Sequence, residues 1–119
     1  MDARDRSAGL LAWQWAIYPS GHTTRFNLLI HVLTVPVFEF GTLAFASSPL
    51  TGAKYALAGL LMMVGAMGMQ GRGHASEPEP PVRFLGVKDV LARIFAEQWI
   101  AFPRFVLTGA FSRAWKSAR

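Results

Sequence analysis

The chain contains no cysteine, so a disulfide framework, a thiolate nucleophile and thiolate-bound zinc or iron–sulfur sites are excluded. Charge is also scarce. Only 16% of the 119 residues are charged, while 52% are apolar. A domain this small has too much surface to cover with so few polar side chains if water surrounds it, so the composition points to a membrane protein. No segment alternates apolar and polar residues as a half-buried strand does, and no internal repeat or low-complexity tract occurs. The expected fold is a single all-α domain over residues 1–119. Histidine is the remaining rarity, with 3 in the chain. Without cysteine, any metal must be held by His, Asp or Glu.

The net charge is +5, and its placement matters more than its size. Arg4, Arg6 and Arg25 precede or open the first long apolar run, Lys54 stands alone between the two runs, and the other basic residues, from Arg72 to Arg119, follow the second. That asymmetry is the positive-inside pattern of a membrane helical hairpin with two spans and both termini in the cytoplasm. No basic stretch is interleaved with aromatics as a base-stacking platform, so nucleic acid is not an expected partner. Anionic lipid headgroups account for the charge.

Taken in order, residues 1–7 are polar and expected to fray. Residues 8–18 carry Trp13, Trp15 and Tyr18, a density of amphipathic aromatics suited to an interfacial helix with Tyr18 as an anchor. Thr23 or Thr24 can cap the next helix, whose span covers about residues 26–47 with a kink at Pro36. Ser48, Pro49 and Gly52 form the turn, and a second span covers about residues 53–70, with Gly59, Gly65 and Gly68 letting another helix approach. The glycines and prolines of residues 71–81 then break the helix. Residues 87–112 resume an amphipathic, interfacial helix, divided at Pro103, on which Arg93 and Glu97 stand four apart and can pair and Trp99 is a further anchor.

The chemistry lies with the histidines. Asn27 and His31 are four apart and share a helix face, whereas His22 is half a turn out of phase and can join them only from a non-helical segment. In an antiparallel hairpin His74, at the end of the second span, returns to the same side of the membrane. Three neutral imidazoles, completed by a carboxylate from Glu77, Glu79 or Glu97, form a ligand set for iron(II) or zinc with positions open for oxygen, water or substrate. The ordinary alternatives are a solvated loop histidine at 22, a buried histidine at 31 satisfied by Asn27 or a carbonyl, and a helix-end histidine at 74.

Tyr18, His22, Asn27, His31 and Pro36, followed by Gly73, His74, Glu77 and Pro81, resemble the motifs of the small membrane proteins related to the fungal 2-hydroxy fatty acid dioxygenase. The first motif is a histidine, an asparagine five later, a histidine four after that and a proline five further on. The second is Gly-His followed by a glutamate and a proline. The resemblance covers residues 15–105. It implies iron(II)-dependent oxidation of a 2-hydroxy fatty acid by oxygen with loss of one carbon. The implied site has His22, His31 and His74 as catalytic metal ligands, Glu77 as the completing carboxylate and Asn27 beside the cofactor. The expected partner is a membrane lipid or fatty-acid substrate, and the expected location is the bacterial inner membrane. Two other readings fit the same features. One is a non-catalytic accessory subunit that forms homo-oligomers or docks to a larger membrane complex, and the other is a haem protein with His31 and His74 as axial ligands.

Overall fold

The computed structural model describes residues 5–119. Their helices are α1 (Leu10–Ile17), α2 (Arg25–Thr51), α3 (Ala53–Ala75), α4 (Val87–Ala96), α5 (Phe102–Leu107) and α6 (Ala110–Ser117). A short 3-10 turn over Pro19–Gly21 follows α1, and a π turn over Glu97–Ala101 joins α4 to α5. Among the described residues no strand occurs, and the all-helical expectation holds. Arg4 and the start of the polar opening stretch lie outside the described residues. Within that stretch Arg6 is tied down, paired to Asp89 at 2.6 Å with its guanidinium over the Trp13 ring.

Thr24 starts α2 as a cap: its backbone is extended and its hydroxyl accepts from the Asn27 N–H at 3.1 Å. The helix continues through both Pro36 and Pro49, so the turn is narrower than expected. Gly52 alone makes it, at φ 127°, a conformation open to glycine at little steric cost. Helix α3 then runs back antiparallel to α2. Their closest approach is at Gly41 and Gly59, where a Cβ on either glycine would collide with the carbonyl oxygen of the other. Gly65 and Gly68, expected to serve the same role, face open space.

The second correction concerns the end of α3, which passes Gln70 and continues through Gly71, Arg72, Gly73 and His74 to Ala75. Two glycines in a last turn disfavour helix by about 1 kcal/mol each. Packing supplies the compensation: Gly73 is seated directly on the Asn27 side chain, where no Cβ fits.

The chain beyond residue 87 folds onto the hairpin. Phe95 meets Phe38 edge to face, and the buried cluster of Tyr18, Leu28, Val35, Ala101, Phe102 and Phe105 joins α1, α2 and α5. Trp13 and Tyr18 are therefore buried, against the expectation of an interfacial anchor at Tyr18, while Trp99 stays exposed. Pro103 does not divide this segment. It follows the π turn, whose wider register accommodates the missing N–H, and the break comes instead at Thr108 and Gly109.

Among the described residues one helix, α2, is long and apolar enough to cross a membrane. Lys54, Gln70 and the glycines keep α3 below that level of hydropathy. The outer faces of both are nonetheless apolar: Phe26, Leu33 and Phe40 on α2 and Leu57, Leu61 and Val64 on α3 are all exposed.

Candidate metal centre

Four segments converge at the end of the hairpin where α2 begins and α3 ends. His22 follows the 3-10 turn in a non-helical conformation, as its phase requires. His31 comes from the second turn of α2, His74 from the last turn of α3, and Glu97 from the start of the π turn. One ligand atom from each of these residues lies within 4.8 Å of the others. His31 is fully buried and His22 nearly so.

Each imidazole of the inner pair is oriented by a backbone carbonyl. His22 Nδ1 is 2.8 Å from the Tyr18 oxygen, and His31 Nδ1 is 2.9 Å from the Asn27 oxygen. A carbonyl only accepts, so Nδ1 carries the hydrogen in both rings, and in the neutral form Nε2 is left bare. The two Nε2 atoms are 3.4 Å apart, and Glu97 Oε2 lies 3.6 Å from the first and 3.4 Å from the second. Burial alone would raise the Glu97 carboxyl. The facing His22 and His31 rings outweigh it and hold it well below the usual carboxylate range. The Nε2 edges of the inner pair, His74 and the Glu97 carboxylate thus face one point, where protons or a metal cation can hold them together. Nitrogen and oxygen donors of this kind suit iron(II) or zinc.

The surroundings hold the donors in place. Tyr18 stacks on His22 with ring centroids 4.0 Å apart, and Phe105 and Phe102 border His22 and His31. The buried Tyr18 hydroxyl faces Glu97. Burial, followed by the Glu97 carboxylate, raises its pKa, so it remains a proton donor facing the site. Beneath the cluster Gln70 and Gln98 exchange two hydrogen bonds, at 2.9 and 2.8 Å, and Gln70 also donates to Thr34.

Glu77, expected to complete the ligand set, is placed elsewhere. Its carboxylate caps the start of α2, accepting from the Thr23 and Thr24 N–H groups and from Asn27 Nδ2 at 2.9 Å. These bonds outweigh its burial and keep its carboxyl below the usual range. Asn27 is likewise a brace, donating also to the Gly21 carbonyl at 3.0 Å while its own carbonyl orients His31. Glu79 is not in the cluster. Glu97, expected to pair with Arg93, turns to the histidines. Arg93 instead meets Asp89 at 3.7 Å and lies over Trp13 and Phe84. The π turn begins only at Glu97, so Arg93 and Glu97 keep ordinary helical spacing and both line the same cavity. Glu97 is one of the three carboxylates, with Glu77 and Glu79, that the sequence offers to complete the ligand set.

A cavity of about 590 Å³ opens beside the donors and is lined by His22, His74 and Glu97 at the cluster and by parts of α1, α3, α4 and residues 78–84. No family model matches the chain, and no curated protein or solved structure matches it. The fold and the cluster define a helical protein with a buried His/Glu group able to hold a metal ion.

Proposed function

We propose that the chain is a membrane-embedded iron(II) oxygenase that removes one carbon from 2-hydroxy fatty acids, within the family its motifs resemble. The observation that carries the reading is the convergence of His22, His31, His74 and Glu97, with the inner pair oriented by carbonyls so that both Nε2 atoms face the Glu97 carboxylate. Histidine with one carboxylate and open positions is the donor set of non-haem iron(II) oxygenases. Iron bound there supplies a redox-active Lewis acid for oxygen and for the hydroxyl and carboxylate of the acid.

The chain's own residues have definite parts in this reading. The three histidines and Glu97 hold the metal, Asn27 and Glu77 fix the segments that carry His22 and His31, and Tyr18 with Phe102 and Phe105 keeps bulk water from the donors. The exposed apolar faces of α2 and α3 support a two-span hairpin in the bilayer, with α1 at its cytoplasmic end and the segment after residue 87 packed along it as far as Phe38. The donor cluster then sits just under the headgroups, where an amphiphilic acid is delivered by the bilayer itself.

The oxidation balances as 2-hydroxy acid plus dioxygen giving the shortened acid, carbon dioxide and water. Its test is a turnover assay on anaerobically purified, iron-loaded protein. Oxygen uptake matching formation of the acid shortened by one carbon supports the reading, and an iron-replete protein that consumes neither oxygen nor 2-hydroxy acid contradicts it. A haem with His31 and His74 as its axial ligands does not fit. Their ring centroids are 5.0 Å apart at right angles, leaving no room for a macrocycle between them. The accessory-subunit reading draws on the open faces of Gly65 and Gly68, where another helix can lie close. It predicts metal-free protein that co-purifies with partner subunits.

A further inference from the structure

The 590 Å³ cavity has a direction that its residue spacing reveals. On α3 its lining includes Met67, Gln70 and His74, which share one face. Met67 is seven residues before His74, about 10 Å back along the helix toward its apolar body. On α1 the lining is Gln14, Ile17 and Tyr18, and on α4 it is Arg93 and Ile94, one turn before Glu97. The cavity therefore begins at the donor atoms and runs away from them, walled by helix faces on three sides and covered by the proline-rich segment 78–81.

Gln70, Gln14 and Arg93 on this wall are already engaged, whereas Glu79 also lines it and is exposed. Gln70 is bonded to Gln98 and Thr34, the Gln14 amide donates to the Arg93 carbonyl at 3.0 Å, and the Arg93 guanidinium is held by Asp89, the Arg83 carbonyl and two aromatic faces. Gln14 Oε1 lacks a partner among the described residues, but it is also shut off from the cavity surface. Beyond the donor cluster, Tyr18 and Glu79, what the cavity offers a ligand is apolar surface from Ile17, Met67, Ile94, Phe84 and the prolines.

Resting on the oxygenase reading above, we propose that the acyl tail of the substrate lies inside this cavity, enclosed by protein and not loose in the bilayer, and that Met67 sets the chain length accepted. The polar head reaches the donors at His22, His74 and Glu97 while the first stretch of tail follows the Met67 face of α3.

Photo-crosslinking tests the placement without any need for turnover. A 2-hydroxy fatty acid bearing a diazirine midway along its tail is incubated with full-length protein in lipid nanodiscs, irradiated, and the adducts are mapped by mass spectrometry. Adducts on Met67, Ile94 and residues 78–84 are expected. Adducts confined to the outer residues Leu57, Leu61 and Val64, or no site-specific adduct, would overturn the proposal. A second measurement reads chain length. Met67→Trp should lower activity on 2-hydroxyhexadecanoic acid relative to 2-hydroxyoctanoic acid by at least about tenfold, with iron content unchanged, and Met67→Ala should shift the ratio the other way. An unchanged ratio in both variants overturns Met67 as the determinant. If wild-type protein oxidises neither acid, it is the oxygenase reading that fails, and the crosslink map still decides where the tail lies.

Discussion

His22 and His31 stand with their Nε2 atoms 3.4 Å apart, each ring directing its Nδ1–H to a backbone carbonyl on the far side. Two Nε2 atoms at that separation, with the Glu97 carboxylate facing both, need a proton or a metal ion between them. The pair is thus a built site, and its third and fourth members, His74 and Glu97, arrive from segments far away in sequence.

Removing a ring should empty this site without unfolding the chain. His31→Ala and His74→Ala are each expected to retain less than about a tenth of the wild-type metal, measured by elemental analysis, with helical circular dichroism unchanged. Full metal content in both variants would refute the assignment.

Glu97 and Glu77 are separable by substitution. Glu97→Gln removes a charge facing His22 and His31 and should weaken metal binding at least about tenfold while leaving unfolding nearly unchanged. Glu77→Gln loses acceptors at the α2 cap, so it should lower stability by about 1–3 kcal/mol, and the folded fraction should still load metal. Metal titration and thermal unfolding of the two variants, side by side, read the difference. The reverse pattern would make Glu77 the ligand.

The last turn of α3 depends on a missing side chain. Gly73→Ala puts a methyl group onto the Asn27 side chain and should cost about 1–3 kcal/mol. Gly71→Ala, two residues away and facing open space, should be neutral or stabilising by about 0.5–1 kcal/mol. Equal effects of the two substitutions on thermal unfolding would show that Gly73 is not seated as described.

A pH dependence follows from Asp89. The Arg6 hydrogen bond, assisted by the Leu85 N–H and by Arg93, holds its carboxyl down to about 2. A folded-state pKa below the ordinary carboxylate value stabilises fully above that ordinary value, about 4. The contribution is lost as pH falls from there through about 2. Thermal unfolding followed across that acid window should show a slope that Asp89→Asn reduces. An identical slope in the variant would mean that the Arg6–Asp89 pair does not link the N-terminal segment to α4 in solution.

Much of this was written plainly in the chain. Helical phase paired Asn27 with His31, placed His22 outside the helix and brought His74 back to the same end, because those relations depend only on residue spacing and an antiparallel return. The threonine cap at Thr24 was legible for the same reason. What stayed hidden depended on tertiary contacts. The glycines of the α3 last turn read as a break because their packing on Asn27 is invisible in a local window. Tyr18 and Trp13 read as membrane-surface aromatics because nothing local shows that α5 and Arg6 cover them. Glu97 stood among three candidate carboxylates, and its four-residue spacing from Arg93 could not show that the histidines, and not Arg93, face its carboxylate. Glu77 read as a ligand because a carboxylate three residues after a histidine gives no sign of whether it faces a metal or a row of backbone N–H groups.

The most direct test of the central claim is the metal content of wild-type protein purified anaerobically from iron-replete cells. The convergence of His22, His31, His74 and Glu97 predicts about one iron per chain, lost in the histidine variants. Protein that is folded, free of metal as purified, and unable to take up iron(II) or zinc on titration would contradict it.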